Sequence, residues 1–210
     1  MHKQKPYLVG ITGGSAMGKT YFLKSLKKLF PANEVCVVSQ DNYYKLVYEH
    51  PKDEQGETNY DLPDCIDLDD FANDLRKLHN NETIYRHEYL FQHENQQGPL
   101  LEFKPAPIIV CEGLFIFYAE NISKQFDLKI YIQAEESVAL KRRLKRDIAE
   151  RNIPEDFVLY QWKNHVMPAY QKYLLPFMAN ADIIINNNTH FENSLTMLAN
   201  HFKQIIADSK

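Results

Sequence analysis

Eight consecutive residues near the start of the chain, Gly13-Gly14-Ser15-Ala16-Met17-Gly18-Lys19-Thr20, satisfy the pattern G-x-x-x-x-G-K-[ST] at every position. Glycines in such a loop let backbone N–H groups turn inward and wrap phosphate oxygens. The helix that follows adds the partial positive charge of its N-terminus. Lys19 can reach the β- and γ-phosphates of a nucleoside triphosphate, and the Thr20 hydroxyl can ligate Mg²⁺. The flanks suit the motif. Tyr7–Thr12 is an apolar run of strand length, and Tyr21 to Phe30 carries apolar residues at 22, 23, 26, 29 and 30, which is helical spacing. A glycine-rich turn that binds nothing is the bland alternative, and the complete match with both flanks weighs against it.

Further candidates follow other apolar runs. Ser39-Gln40-Asp41 ends the second run. A carboxylate there can take a proton from a hydroxyl attacking the γ-phosphate, or hold Mg²⁺ through water; an Asp that only forms a turn or cap is equally consistent. Val110-Cys111-Glu112-Gly113 ends the third run, and Glu112 is its first charge. That is the position of a Mg²⁺-organising acid, against the plainer reading of a solvent-facing strand end. Lys141-Arg142-Arg143-Leu144-Lys145-Arg146-Asp147, with Arg151 beyond, is a basic helical segment with Arg143 and Arg146 on one face. It can close over phosphates as a lid, or be a solvated face with an Asp147–Arg151 ion pair. Asn152-Ile153-Pro154 would break that helix and suit a hinge. Asn59-Tyr60-Asp61-Leu62-Pro63-Asp64 offers carboxylates for a sugar diol and a ring for a flat base, or else a plain Asp-Pro turn. The histidines show no metal-ligand spacing and read as surface or core residues.

These residues need a frame. Five apolar runs, Tyr7–Thr12, Val35–Ser39, Ile108–Cys111, Leu128–Ile132 and Asp182–Ile185, read as buried parallel strands. Helical patterns at about 19–30, 68–79, 135–151, 155–166 and 191–207 alternate with them, and Asp67 is placed to cap the second. The alternation predicts an α/β fold, a doubly wound five-stranded parallel sheet with helices on both faces and ligands at the carboxyl ends of the strands. Two stretches break the alternation. Residues 42–66 show no clear period, and residues 80–106 hold an Ile84–Phe91 segment able to form a short hairpin, then a Gly98-Pro99 turn. The expectation is one domain over 1–210, with a substrate-binding hairpin insert at about 80–106 and a helical lid at about 141–154.

Composition narrows the function classes. The 210 residues are 44% hydrophobic and 25% charged, with a formal net charge of −4. That charge argues against nucleic acid or an anionic membrane as partner. No apolar run approaches the length of a membrane helix. Cys36, Cys65 and Cys111 are scattered and read as free thiols, two of them in buried strands, which predicts a reducing cytoplasm.

With these segments set out, the chain resembles the uridine kinase family, also called uridine–cytidine kinases, from about residue 7 to about 185. The phosphate loop is generic. Ser39-Gln40-Asp41-Asn42-Tyr43-Tyr44 and Asn59-Tyr60-Asp61-Leu62-Pro63-Asp64, in this order, are much more specific, and Glu112-Gly113, Arg142 to Asp147 and Val166-Met167-Pro168-Ala169-Tyr170 add to them. The resemblance implies a P-loop kinase that moves the γ-phosphate of ATP to the 5′-hydroxyl of uridine or cytidine, with Mg²⁺ as cofactor, in pyrimidine salvage. It implies Asp41 as base, Lys19 on the phosphates, Thr20 and Glu112 in the Mg²⁺ shell, and Arg146 and Arg151 near the phosphates. It implies Asp61 on the ribose hydroxyls, Arg143 and Gln161 as ribose-side contacts, Tyr44 and Tyr60 lining the nucleoside pocket, and a homotetramer.

The departures lie where the base is read. In Arg86-His87-Glu88-Tyr89-Leu90-Phe91-Gln92-His93, Tyr89 and Phe91 keep the family's Tyr-x-Phe spacing, Leu90 replaces an Asp, and His93 falls one residue early. Tyr89 and His93 are the implied base contacts. Ile153 stands where the family has an arginine approaching the base. Two other readings remain: a kinase for another sugar-like hydroxyl metabolite, as in phosphoribulokinase-like relatives, or a nucleotide-binding regulatory module without transfer.

Overall fold

A computed structural model describes residues 4–91 and 97–208. Its centre is a five-stranded parallel sheet made of β1 (Tyr7–Thr12), β2 (Val35–Ser39), β5 (Ile108–Glu112), β6 (Leu128–Gln133) and β7 (Ile183–Asn186), in the order β2-β5-β1-β6-β7. All four pairings are parallel, and Ser39 and Ile11 both stand level with Glu112. Strands buried on both faces must be apolar throughout, and every residue of β5 is buried. Alternate side chains feed two cores. Val9, Ile11, Ile108 and Val110 meet Phe22 and Leu26 of α1 (Lys19–Lys27) and Phe202 and Ile206 of α7 (Glu192–Asp208). Leu8, Ile109 and Cys111 meet Phe71, Leu75 and Leu78 of α2 (Leu68–His79) and Ile122 of α3 (Glu120–Ser123). The doubly wound α/β expectation holds, strand for strand.

Local chemistry explains the helix ends. Asp67 caps α2 as expected, its Oδ1 accepting from Asp70 N at 2.9 Å. The helix α4 (Glu136–Arg151) stops at Asn152, whose φ of 53° lies in the left-handed region that Asn tolerates. The chain resumes in α5 (Glu155–Gln161). It continues through a π-helical turn at Trp162–Val166, the short α6 (Met167–Ala169) and a second π-helical turn at Tyr170–Leu174.

The hairpin differs from the sequence expectation. Ile84–Phe91 is not a hairpin in itself: only β3 (Ile84–His87) is strand, and its antiparallel partner is β4 (Leu100–Phe103), beyond Gly98-Pro99. Arg86 ties the hairpin to α2 by pairing with Asp70 and Asp74, and its guanidinium lies 4.7 Å over the Tyr43 ring. Cys36, Cys65 and Cys111 are free and buried. Among the described residues no helix is long and apolar enough to cross a membrane.

Candidate active site

The carboxyl ends of β1, β2 and β5 open onto one cleft of about 610 Å³, within the range of small-molecule sites. The phosphate loop forms one wall. Gly18 has a φ of 104°, and an added Cβ would overlap the side-chain amide of Asn187, which donates to the Met17 carbonyl at 2.9 Å. Gly18→Ala should therefore weaken ATP binding at least tenfold while acceptor binding changes little. Isothermal titration with a non-hydrolysable ATP analogue checks this. Lys19 folds back over the loop, its Nζ donating to the carbonyls of Gly13 at 2.8 Å and Gly14 at 3.2 Å. Burial lowers the Lys19 pKa, and Glu112 and Asp41 oppose that shift. Ser15, Ala16, Gly18, Lys19 and Thr20 line the cleft, whereas Gly13, Gly14 and Met17 support it from behind. The Gly14 N–H points to Met17 Sδ at 3.2 Å rather than into the cleft.

Asp41 and Glu112 meet across the floor because their strands are neighbours. Ser39 Oγ donates to Glu112 Oε1 at 2.7 Å and accepts from Asp41 N at 3.2 Å. One hydroxyl thus orients both acids. Burial, then the nearby Glu112, pushes the Asp41 carboxyl up to about 7, against the pull of Lys19, Arg151 and Arg146. Behind them Gln40 Oε1 accepts from Phe115 N at 2.9 Å, and Gly113 has no room for a side chain against Gln40. The Thr20 hydroxyl and the Glu112 carboxylate line the same cleft as Asp41. A hydroxyl with one or two carboxylates fits Mg²⁺, which keeps waters and takes the rest of its shell from substrate phosphates.

The basic segment of α4 is not a solvated face on every side. The buried positions of α4 are Ala139, Arg143 and Asp147, one stripe at four-residue spacing. Arg143 Nη1 donates to Ser15 Oγ at 2.9 Å and Nη2 to Gln161 Oε1 at 3.2 Å. Asp147 lies 2.7 Å from Arg146 Nε, 3.2 Å from Arg143 Nε and 3.4 Å from Arg151 Nη1. The expected Asp147–Arg151 pair is present within this larger group. Its Arg143 contact is an ion pair without hydrogen-bond alignment.

The far end of the cleft is aromatic and acidic. Tyr44, Tyr89 and Phe91 cluster, with ring centroids 4.8–5.7 Å apart. The Tyr44 hydroxyl donates to the Tyr60 carbonyl at 3.2 Å, and Asn42 Oδ1 holds Tyr89 N at 3.1 Å. Asp61 stands beside them; burial raises its pKa, while Arg143 and His165 pull it down. Ile153 and Gln161 line the same cleft. His93 lies outside the described residues.

Apart from Gly13, Gly14 and Met17, every other predicted site residue lines this one cleft. Ser39, Asn187 and His165 went unrecognised as site residues. Ser39 had a signal, standing next to Gln40-Asp41. Asn187 and His165 had none, because their partners are distant in sequence.

Comparison with known proteins agrees with this arrangement. The family model described as Phosphoribulokinase / Uridine kinase family matches residues 8–192. The chain is 33% identical over 204 residues to the uridine kinase of Borrelia duttonii (strain Ly), covering 96% of this chain and 97% of that one. It is 28% identical over 209 residues to uridine-cytidine kinase B of Dictyostelium discoideum, covering 100% of this chain and 86% of that one. The phosphoribulokinase from Rhodobacter spheroides shares the fold at a TM-score of 0.62 and 14% identity, covering 87% of this chain and 70% of that one. On a family match that spans most of its length and a site whose parts converge on one cleft, the chain belongs to the phosphoribulokinase/uridine kinase family.

Proposed function

We propose that the protein transfers the γ-phosphate of ATP to the 5′-hydroxyl of a pyrimidine nucleoside, uridine or cytidine. One observation carries the reading: a single cleft is lined by Lys19 and Thr20 of the phosphate loop, by Asp41, and by Asp61 with the rings of Tyr44, Tyr60 and Tyr89. A carboxyl with its proton affinity raised to about 7 suits a general base at neutral pH. Asp41 accepts the 5′-hydroxyl proton as that oxygen attacks the γ-phosphorus in line. Lys19 exchanges the loop carbonyls for phosphate oxygens. Arg146 and Arg151, gathered on Asp147, offset charge on the transferring group. Thr20 and Glu112 would hold Mg²⁺, which when bound offsets the charge of the β- and γ-phosphates. Asp61 accepts from the ribose hydroxyls, with Arg143 and Gln161 close by, and the rings of Tyr44, Tyr60 and Tyr89 flank the base.

The acceptor end favours a neutral nucleoside over a phosphorylated sugar. The cleft's lysine and arginines belong to the phosphate loop and α4, whereas the segment carrying Tyr44, Tyr60 and Asp61 contributes rings and a carboxylate. A binding-only module has no need of Asp41, Glu112 and Asp61 in one cleft. A homotetramer, implied by the resemblance, belongs to the same reading and is checked by light scattering.

The test is steady-state transfer from Mg·ATP to uridine, cytidine, adenosine, guanosine, ribose and ribulose 5-phosphate. Turnover with uridine or cytidine well above the other acceptors is expected. Preference for ribulose 5-phosphate, or ATP binding without transfer, would overturn the reading. Asp61→Ala should raise the acceptor KM about thirtyfold, equivalent to hydrogen bonds to a charged group worth about 2 kcal/mol. The ATP KM should stay within about twofold, and initial rates with each substrate varied check both.

A further inference from the structure

Residues 44–62 cross the acceptor end without a strand or long helix of their own, and they carry Tyr44, Tyr60 and Asp61. Within them a tight loop begins at Asp53. Gly56 N closes onto the Asp53 carbonyl at 3.0 Å, and Lys52 bridges Thr58. Asp53 Oδ1 accepts from Gln55 N and Glu57 N, both at 2.9 Å. The other oxygen reaches out of the loop. Oδ2 accepts from His165 Nε2 at 2.7 Å, across 112 residues, and from the Tyr160 hydroxyl. Asp53 thus takes four hydrogen bonds, a full set for a carboxylate. The Tyr160 bond, then the His165 bond, holds its carboxyl well below the usual carboxylate range.

His165 belongs to the π-helical turn at Trp162–Val166, where Met167 N–H reaches back five residues to the Trp162 carbonyl. Such turns shift the phase of a helix and recur at functional sites. Here the turn buries Trp162, His165 and Val166 together. The His165 side chain is 1% exposed, its ring meets Tyr160 edge-on at 5.7 Å, and it lines the cleft with Gln161 and Asp61. With Nε2–H given to Asp53, the rotation of the ring is set. Four residues earlier Gln161 binds Arg143, which binds Ser15 of the phosphate loop. One connected set of contacts therefore runs from the acceptor segment, through the helix after the lid, to the phosphate loop.

We propose that Asp53 and His165 form a clasp that seats the acceptor segment 44–62 against the helix after the lid, and that both are positioning residues for the acceptor. The clasp fixes where Asp61 and the rings stand relative to Asp41, so it sets acceptor alignment rather than phosphate binding. The acceptor role rests on the nucleoside kinase reading above; the clasp itself does not.

His165→Phe keeps a ring and removes Nε2; Asp53→Ala removes the carboxylate. His165→Phe should raise the uridine KM about tenfold, the effect of losing one hydrogen bond to a charged group, and Asp53→Ala, which also loses the Tyr160 and loop bonds, at least as much, with the ATP KM within about twofold in both. Amide exchange across 44–62 should speed up about tenfold while β1 and α1 keep wild-type protection. The double variant should be no worse than the worse single variant, because both break one link. Asp53→Asn, which keeps one accepting oxygen, should fall between wild type and Asp53→Ala, and it gives the same readouts if either larger change prevents folding. Unchanged exchange in His165→Phe, additive effects in the double variant, or an ATP KM that rises in step with the uridine KM would overturn the clasp. Loss of protection in 44–62 alongside a wild type that phosphorylates no nucleoside would sink the acceptor reading and leave the clasp standing.

Discussion

Asp41→Asn is expected to lower kcat about a thousandfold, within the range for loss of a general base, with ATP binding retained within about threefold. The amide keeps the shape of the site and cannot accept the 5′-hydroxyl proton. The wild-type pH profile should show the same group. Because burial and Glu112 push the Asp41 carboxyl up to about 7, kcat/KM should fall about tenfold per unit as pH drops below that value. A stability effect of opposite sign follows. The folded-state pKa is raised above the unfolded one, so folding takes up a proton between about pH 4 and pH 7. The contribution is fully favourable below the unfolded pKa and is lost as pH rises through about 7. At pH 8 the wild type therefore holds an ionised, partly buried carboxylate beside Glu112, a cost that the neutral amide of the variant avoids. Asp41→Asn should melt about 5 °C or more above wild type at pH 8 and level with it at pH 4. Turnover comparable to wild type, or a flat acid limb, would refute the base assignment.

The second large effect is expected at Asp147, which touches no substrate in this reading. Its side chain is 0% exposed and lies within 3.4 Å of Arg143, Arg146 and Arg151. Without its charge, the buried Arg143 would lose the carboxylate 3.2 Å from its Nε, and the three guanidinium groups would repel one another. Removing one partner of a buried ion group costs about 3 kcal/mol or more. Asp147→Asn should therefore lower Tm by about 10 °C. Arg143 also holds Ser15 and Gln161, and the Arg151 guanidinium lies 4.9 Å over the Phe91 ring, so α4 would lose its alignment with the residues that line the cleft. Well below the melting range, kcat and kcat/KM should fall together about a hundredfold, as expected when the lost interactions belong to the transition state. Wild-type kcat in a folded Asp147→Asn protein would show that the arginines act without this anchor.

Some of this architecture is local and was legible in the residues. The five strands are short apolar runs, and Asp41 and Glu112 are among the first polar residues beyond two of them, so position along the chain already placed them at one sheet edge. Asp67 caps α2 through a bond spanning three residues. The phosphate loop needs only its own eight residues and its flanks. The rest depends on pairings that sequence distance hides. Helical spacing put Arg143 and Asp147 on one face but did not tell whether that face met water or the protein, and burial makes the difference between a surface pair and an anchor. The apolar run at Ile84 was visible, yet its strand partner lay beyond an intervening polar stretch. Ser39 and Glu112 meet because β2 and β5 are neighbours, an order set by how helices cover both faces of the sheet. Asp53 and His165 meet only once the loop and the helix after the lid fold over the same cleft. Propensity and periodicity thus determined the elements and most of the chemistry they carry. The tertiary structure alone decided which charges are buried and which distant side chains share a hydrogen bond, because those depend on long-range packing.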